Sequence, residues 1–203
     1  MSIPSSLSLV QLHSGQMQVF QSPHRFKVVC AGRRWGKSRL SISTIIRAAA
    51  KERKQRVWYV APTYQMARQI LWDDLQEVLP RKWIRKKNDT TMTIVLKNGS
   101  EIALKGADKP DTLRGVALHF VVLDEFQDMK PDTWYKVLRP TLSSTRGGAL
   151  IIGTPKGFSE FHKLWTIGQN KELQRKGQWK SWHFVPADSA FVPTAAIEAA
   201  KND

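Results

Sequence analysis

The run Ala31-Gly32-Arg33-Arg34-Trp35-Gly36-Lys37-Ser38 sets two glycines, a lysine and a hydroxyl at the spacing of a phosphate-cradling loop. Between a strand and a helix, such a loop turns backbone N–H groups and the positive end of the helix dipole toward phosphate oxygens. Lys37 then reaches the β and γ phosphates of a nucleotide, and the Ser38 hydroxyl ligates Mg²⁺. Ala31 stands where glycine is the commoner residue. Further on, Val121-Val122-Leu123-Asp124-Glu125 carries an apolar run into two carboxylates. Asp124 suits a Mg²⁺ ligand, directly or through water, and Glu125 suits a base that orients and deprotonates an attacking water. A third run, Leu150-Ile151-Ile152-Gly153-Thr154-Pro155, ends in a turn with a hydroxyl. Thr154 there can sense the γ-phosphate and pass its loss to neighbouring elements. Together the three point to hydrolysis, since a kinase has little use for a water-activating glutamate.

Each run also has a plainer reading: a glycine turn before a helix, two acids capping the next element, an ordinary Gly-Thr-Pro turn. The elements between them decide for the chemistry. Arg25 to Ala31 predicts a buried strand and Ser38 to Ala50 a helix, uninterrupted by Pro or Gly. Val57 to Val60 is a second strand. Tyr64 to Leu79 carries apolar side chains at helical spacing and is stopped by Pro80. Thr91 to Leu96 and Glu101 to Leu104 flank Asn98-Gly99, a hairpin signal because both residues tolerate positive φ. Leu118 to Leu123 and Leu150 to Ile152 are further core strands, with helices expected at Asp132 to Leu138 and Phe158 to Ile167. Near-continuously apolar strands separated by helices imply a mainly parallel sheet covered on both faces, a doubly wound α/β domain with a β-hairpin insertion. Ligands of such sheets bind at the carboxyl edge, where all three runs end.

The chain has 203 residues, enough for one domain with a real core. Lys and Arg number 32 against 17 Asp and Glu, a net charge of +15 that calls for a polyanionic partner. Basic clusters occupy residues 51–56, 81–87 and 171–180, and any one of them is also readable as a solvated face. No apolar run approaches the ~20 residues of a membrane span, and Met1 to Leu9 does not read as a secretion signal. The single cysteine, Cys30, excludes an internal disulfide and paired-cysteine zinc sites, so a reducing compartment is expected.

Gly32-Arg33-Arg34-Trp35-Gly36-Lys37-Ser38, Leu113-Arg114-Gly115, Leu123-Asp124-Glu125 and Gly153-Thr154-Pro155-Lys156-Gly157 resemble, in order and spacing, the motif series of the large terminase subunit of tailed double-stranded DNA bacteriophages. His13-Ser14-Gly15-Gln16 resembles that family's adenine-contacting glutamine segment. The resemblance spans about residue 10 to 195 and implies the N-terminal ATPase domain, a P-loop NTPase of the additional-strand, catalytic-glutamate type. It implies ATP and Mg²⁺ as cofactors and assigns nucleotide contacts to Gln16, Ala31, Gly32, Arg33, Arg34, Trp35, Gly36, Lys37 and Ser38. Ser38 and Asp124 would hold the metal. Glu125, Arg33 and Lys37 would be catalytic, with Arg33 on the γ-phosphate in cis or facing a neighbour. Thr154 would couple, and Arg114 is either an arginine offered between subunits or half of a structural salt bridge. Arg34 is otherwise a surface or phosphate-backbone arginine, and Gln16 an exposed polar residue.

The same resemblance implies double-stranded DNA as the partner, a homo-oligomeric ring on the capsid portal, a small terminase subunit, no membrane, and action in the host cytoplasm. The expected organisation is a single ATPase domain over 1–203 with a flexible arm at 1–12. The family's C-terminal nuclease domain is not represented, because no second acidic constellation follows Glu160. The alternatives are a helicase-like ATPase not involved in packaging, a nuclease using Asp124, Glu125 and Asp128, and a nucleotide-gated DNA-binding module without turnover.

Overall fold

The computed structural model describes residues 9–185 apart from 155 and 158. Most of the expected 1–12 arm, Pro155, Phe158 and the chain after 185 lie outside the described residues. Eight strands form one sheet in the order β3-β4-β5-β2-β6-β7-β1-β8. They are β1 (Phe26–Ala31), β2 (Arg56–Ala61), β3 (Ile84–Asn88), β4 (Thr93–Leu96), β5 (Glu101–Gly106), β6 (Phe120–Leu123), β7 (Gly148–Gly153) and β8 (Trp179–Phe184). Pairings from β5 to β8 are parallel; β3 and β4 join antiparallel at one edge. The expected hairpin is therefore present, and a third strand extends it. Sequence patterning missed β3, whose Arg85, Lys86 and Lys87 show no apolar alternation, and β8.

The apolar strands are two-sided because helices cover both faces. Val57, Tyr59, Val122, Leu150 and Ile152 face one cluster, with Leu40, Ile45 and Ala49 of α2 (Lys37–Lys51) and Val19 and Phe20 of α1 (Ser14–Gln21). Trp58, Val60, Val121, Leu123 and Ile151 face the other, with Trp134, Leu138, Phe161 and Leu164. This period of two makes each strand belong to both halves of the core.

The helix expected from Tyr64 to Leu79 forms in three pieces: α3 (Tyr64–Ala67), a π turn at Arg68–Trp72 and α4 (Asp73–Val78). The π turn lies where Trp72 is buried against the core and its indole N–H donates to Asp89 Oδ1 at 3.1 Å. A second π turn, Thr133–Leu138, replaces the α-helix expected there and runs into α5 (Arg139–Thr141). α6 (Glu160–Gln169) and the short α7 (Lys171–Arg175) complete the elements. The hairpin turn is anchored to α2, because Asn98 Nδ2 donates to the carbonyls of Ala49 and Glu52.

Lys27, 3% exposed inside β1, places an ammonium in the core. It donates to the Val19 carbonyl at 2.9 Å, at the C-terminal end of α1. Burial pushes it from 10.5 down to about 7, with Arg47 adding to the shift. Between those values the unfolded chain binds the extra proton, so stability rises with pH there and is lost as pH falls through about 7. The slope is up to ~1.4 kcal/mol per pH unit. Lys27→Met keeps the stem and removes this component. In urea unfolding the wild-type-minus-variant stability should climb from pH 7 to 10, and a flat difference would refute a buried charge.

Candidate active site

β7 lies between β1 and β6 in the sheet. Register pairs Cys30 with Gly153 and Leu123 with Ile151, so the three strands finish side by side. The phosphate loop after β1, Asp124-Glu125 after β6 and Thr154 after β7 therefore emerge at one edge.

The loop is shaped by two left-handed residues, Arg34 (φ 62°) and Gly36 (φ 89°), on either side of Trp35. Trp35 turns inward, fully buried, stacked at 4.6 Å on Phe184 of β8 and edge-on to His13 at 5.0 Å. Arg33 and Arg34 stay exposed. The indole thus anchors the loop while its neighbours face outward. Arg33, Arg34, Gly36, Lys37, Ser38, Arg39 and Glu125 line a cavity of about 450 Å³. Ala31, Gly32 and Trp35, expected to contact nucleotide, do not line it. Ala31 and Trp35 are core residues, and the Ala31 carbonyl accepts from Lys37 at 3.4 Å.

Gln16 departs from expectation. It is fully buried in α1, and its amide donates to the carbonyls of Trp35 at 3.2 Å and Gly36 at 2.8 Å, while its oxygen accepts from the His13 N–H. Where contact with adenine was expected, the carboxamide braces the phosphate loop from behind. A Cβ on Gly36 would lie 2.4 Å from the Gln16 amide nitrogen, so glycine is required there by space as well as by φ.

Lys37 Nζ donates to Thr154 Oγ1 at 2.7 Å and lies 3.3 Å from Glu125 Oε1. Its three protons thus face the Ala31 carbonyl, Thr154 and Glu125. Glu125 has φ 50°, an unusual value for a side-chain-bearing residue, which swings it out of line with β6. Asp124 stays 2% exposed. Its Oδ1 accepts the Glu125 N–H at 2.9 Å and its Oδ2 the Tyr59 hydroxyl at 2.8 Å. Burial pushes the Asp124 carboxyl up to about 6, against the Tyr59 hydrogen bond that favours the anion. The Tyr59 hydroxyl itself is raised well above the usual range by burial first and then by Asp124.

Ser38 and Asp124 supply a hydroxyl and a carboxylate, the hard oxygen donors Mg²⁺ takes. Arg33 has no side-chain partner among the described residues. Arg114 lies outside the cavity, exposed, with Nε 3.0 Å from Asp111 Oδ1; of its two readings the salt bridge is formed within this chain. Asp128 pairs with Lys156 at 2.7 Å, and among the described residues Asp124, Glu125 and Asp128 do not form a cluster able to hold a metal ion.

Three further residues escaped the sequence reading. Tyr59 holds Asp124, Arg39 lines the cavity, and Gln127 touches both Glu125 (Nε2 to Oε2, 2.6 Å) and the Thr154 N–H (to Oε1, 3.1 Å). The Phe126-Gln127-Asp128 sequence could have drawn attention to Gln127, since it follows the acids directly. Nothing in the pattern of β2 singles out Tyr59.

A phosphate loop on β1, a carboxylate pair on β6 and a hydroxyl-tipped strand between them define a P-loop ATPase of the additional-strand type. The family model described as terminase large subunit, T4likevirus-type, N-terminal, matches residues 28–202. The chain belongs to the large terminase subunit family and has the fold of its ATPase domain. It is 32% identical over 176 residues to the large terminase subunit of Thermus phage G20c, covering 77% of this chain and 36% of that protein. To the large subunit of Escherichia phage T5 it is 30% identical over 183 residues, covering 88% and 41%. The solved large terminase ATPase domain of Thermus phage P74-26 matches with a TM-score of 0.72 at 28% identity, over 85% of this chain and 80% of that one. The chain spans less than half the length of the two curated relatives. No described helix is long and apolar enough to cross a membrane.

The brace predicts a binding phenotype. Gln16→Ala leaves the Trp35 carbonyl to the His13 ring alone and the Gly36 carbonyl to the Leu40 N–H alone, and so loosens the loop. ATP affinity should fall roughly tenfold, a loss of ~1.4 kcal/mol, the scale of one or two buried hydrogen bonds. Titration with a fluorescent ATP analogue checks this, with circular dichroism confirming the fold; unchanged affinity would remove the brace from the binding site.

Proposed function

We propose that this domain binds ATP with Mg²⁺, hydrolyses it, and uses the cycle to drive double-stranded DNA into a viral procapsid. The observation that carries the reading is the placement of Lys37, Glu125 and Thr154 within one hydrogen-bonded group at the sheet edge. Incoming β and γ phosphates take Lys37 from its carbonyl, hydroxyl and carboxylate partners. Glu125, relieved of the ammonium, accepts the proton of an attacking water. Arg33, exposed at the cavity, stabilises charge on the γ-phosphoryl oxygens as they separate. Thr154, which lost its contact to Lys37 when nucleotide entered, regains it when phosphate leaves. Ser38 and Asp124 would hold Mg²⁺, which would supply neutralisation of the phosphate charge. We assign adenine to the neighbourhood of α1, with Gln16 acting through the loop.

DNA contact is supported by charge. Arg53, Lys82 and Lys97 line a recess of about 490 Å³, and Arg85 and Lys86 lie on β3; all five are exposed. None has an acidic partner among the described residues. Phosphate backbones suit such an array, which has no obvious device for reading bases. We further propose a homo-oligomeric ring on the portal in the host cytoplasm, recruited with a small terminase subunit. In that ring Arg114 leaves Asp111 for a neighbour's nucleotide. We assign DNA cleavage to a nuclease domain carried by another part of the protein.

Two measurements test the proposal. Lys37→Ala should abolish hydrolysis, whereas Glu125→Gln should bind ATP normally and lose turnover by ~10²–10⁴. A Glu125→Gln variant with wild-type turnover would unseat the base. For DNA, changing Lys82, Arg85 and Lys86 together to Ala should weaken duplex binding irrespective of sequence. The slope of log K against log salt should shrink by about 2.7, three contacts at ~0.9 each. Fluorescence anisotropy across salt concentrations reads this, and an unchanged slope would move the DNA elsewhere.

A further inference from the structure

We infer that Gln127 is a positioning residue that sets the orientation of Glu125 and links it mechanically to Thr154; the inference rests on Glu125 being the base. Gln127 Nε2 donates to Glu125 Oε2 at 2.6 Å and to Asp128 Oδ2 at 3.1 Å, while its Oε1 accepts the Thr154 N–H at 3.1 Å. With Lys37 on Glu125 Oε1 and Thr154 Oγ1, this closes a ring of four residues, Lys37, Glu125, Gln127 and Thr154, completed through the Thr154 backbone N–H.

The chemistry of the ring admits few residues at 127. One end meets two carboxylates and must donate; the other meets a backbone N–H and must accept. A carboxamide carries both on one rigid plane, which also fixes which end is nitrogen. Glutamate cannot donate to Glu125, and lysine cannot accept from Thr154. A second observation concerns Gly153, where a Cβ would lie 2.3 Å from Gln127 Oε1. The approach of Gln127 to β7 uses the room that this glycine leaves.

The ring has a consequence for the cycle. Both Glu125 oxygens are occupied in this arrangement, one by Lys37 and one by Gln127, so the base is held but not available. When phosphate draws Lys37 away, Oε1 is freed toward the γ-phosphate while Oε2 remains on Gln127. The carboxylate then presents one oxygen in a fixed direction, and orientation errors of about 1 Å are worth up to ~10²-fold in rate. Because the same carboxamide holds the Thr154 amide, a shift of the chain after β7 moves the base, and the reverse. Gln127 thereby couples the sensing of phosphate to the activation of water.

The test compares Gln127→Ala, the near-isosteric Gln127→Glu and Gly153→Ala in the full chain, measuring fluorescent-ATP affinity and single-turnover hydrolysis. All three should bind nucleotide within about twofold of wild type and hydrolyse it ~10–100-fold more slowly. In the Glu125→Gln background, Gln127→Ala should add no further loss, because it acts through that carboxylate. Wild-type or faster hydrolysis in Gln127→Ala and Gln127→Glu would overturn the inference, as would losses that multiply with Glu125→Gln. If Glu125→Gln itself turned over normally, the assignment of the base would fail first, which separates the two conclusions.

Discussion

The rest of the site depends on one ammonium group placed where three parallel strands end together. Lys37 rises from the first turn of α2 and finds the Ala31 carbonyl from β1, Glu125 from beyond β6 and Thr154 from beyond β7. Those contacts exist only because β7, late in the chain, inserts between β1 and β6. Shifting that strand by one residue would turn its buried side chains to the opposite face, so register is fixed by the two-sided core. Chemical precision at the edge is inherited from apolar packing in the middle of the sheet.

Electrostatics at the same edge follow from burial. A carboxylate as enclosed as Asp124 resists ionisation unless something stabilises the anion. Tyr59 provides that from β2, whose register sets it opposite Val122, two residues before the acid. The partly buried Lys37 and the Glu125 N–H favour the anion as well. Arg33, Arg34 and Arg39 line the cavity, and among the described residues Glu125 is its one acidic lining residue. A cavity so biased attracts a polyphosphate before any specific contact forms.

At the opposite edge of the sheet, the same excess of cations has a different structural setting. β3 is an edge strand with Arg85, Lys86 and Lys87 exposed, and its register with β4 shifts between Ile84 and Lys86. Charged side chains and bulges discourage edge-to-edge pairing between sheets. The same charges that make this strand basic thus also protect it from aggregation. Its position is fixed by Trp72 and Arg68 on Asp89, by Tyr64 on the Thr90 carbonyl and by the Lys97 N–H on the Trp83 carbonyl. The hairpin is therefore a packed extension of the sheet.

Much of this was legible in the sequence, for definite reasons. Apolar runs ending in Gly-Lys-Ser, Asp-Glu and Gly-Thr-Pro encode both a strand and its chemistry, so β1, β6, β7 and the cavity residues other than Arg39 could be read directly. Asn98-Gly99 encodes its turn through backbone conformation alone. These are local properties, carried by residues adjacent in the chain. By contrast, β8 and β3 lack the apolar alternation that marks a strand, and only their neighbours in the sheet make them strands. Whether Gln16 faces a base or a loop, and whether Trp35 faces nucleotide or core, depends on Phe184 and His13, far from Trp35 in the chain. Tyr59 acquires its role by reaching Asp124 beyond another strand, and Gln127 its link to phosphate sensing by reaching Thr154 beyond β7. The sequence by itself determined the class of fold, the phosphate loop and the acid pair, because each is written in contiguous residues. Only the tertiary structure decided the strand order, the brace behind the loop and the ring around Glu125, because hydrogen bonds between distant segments exist only once packing has brought them together.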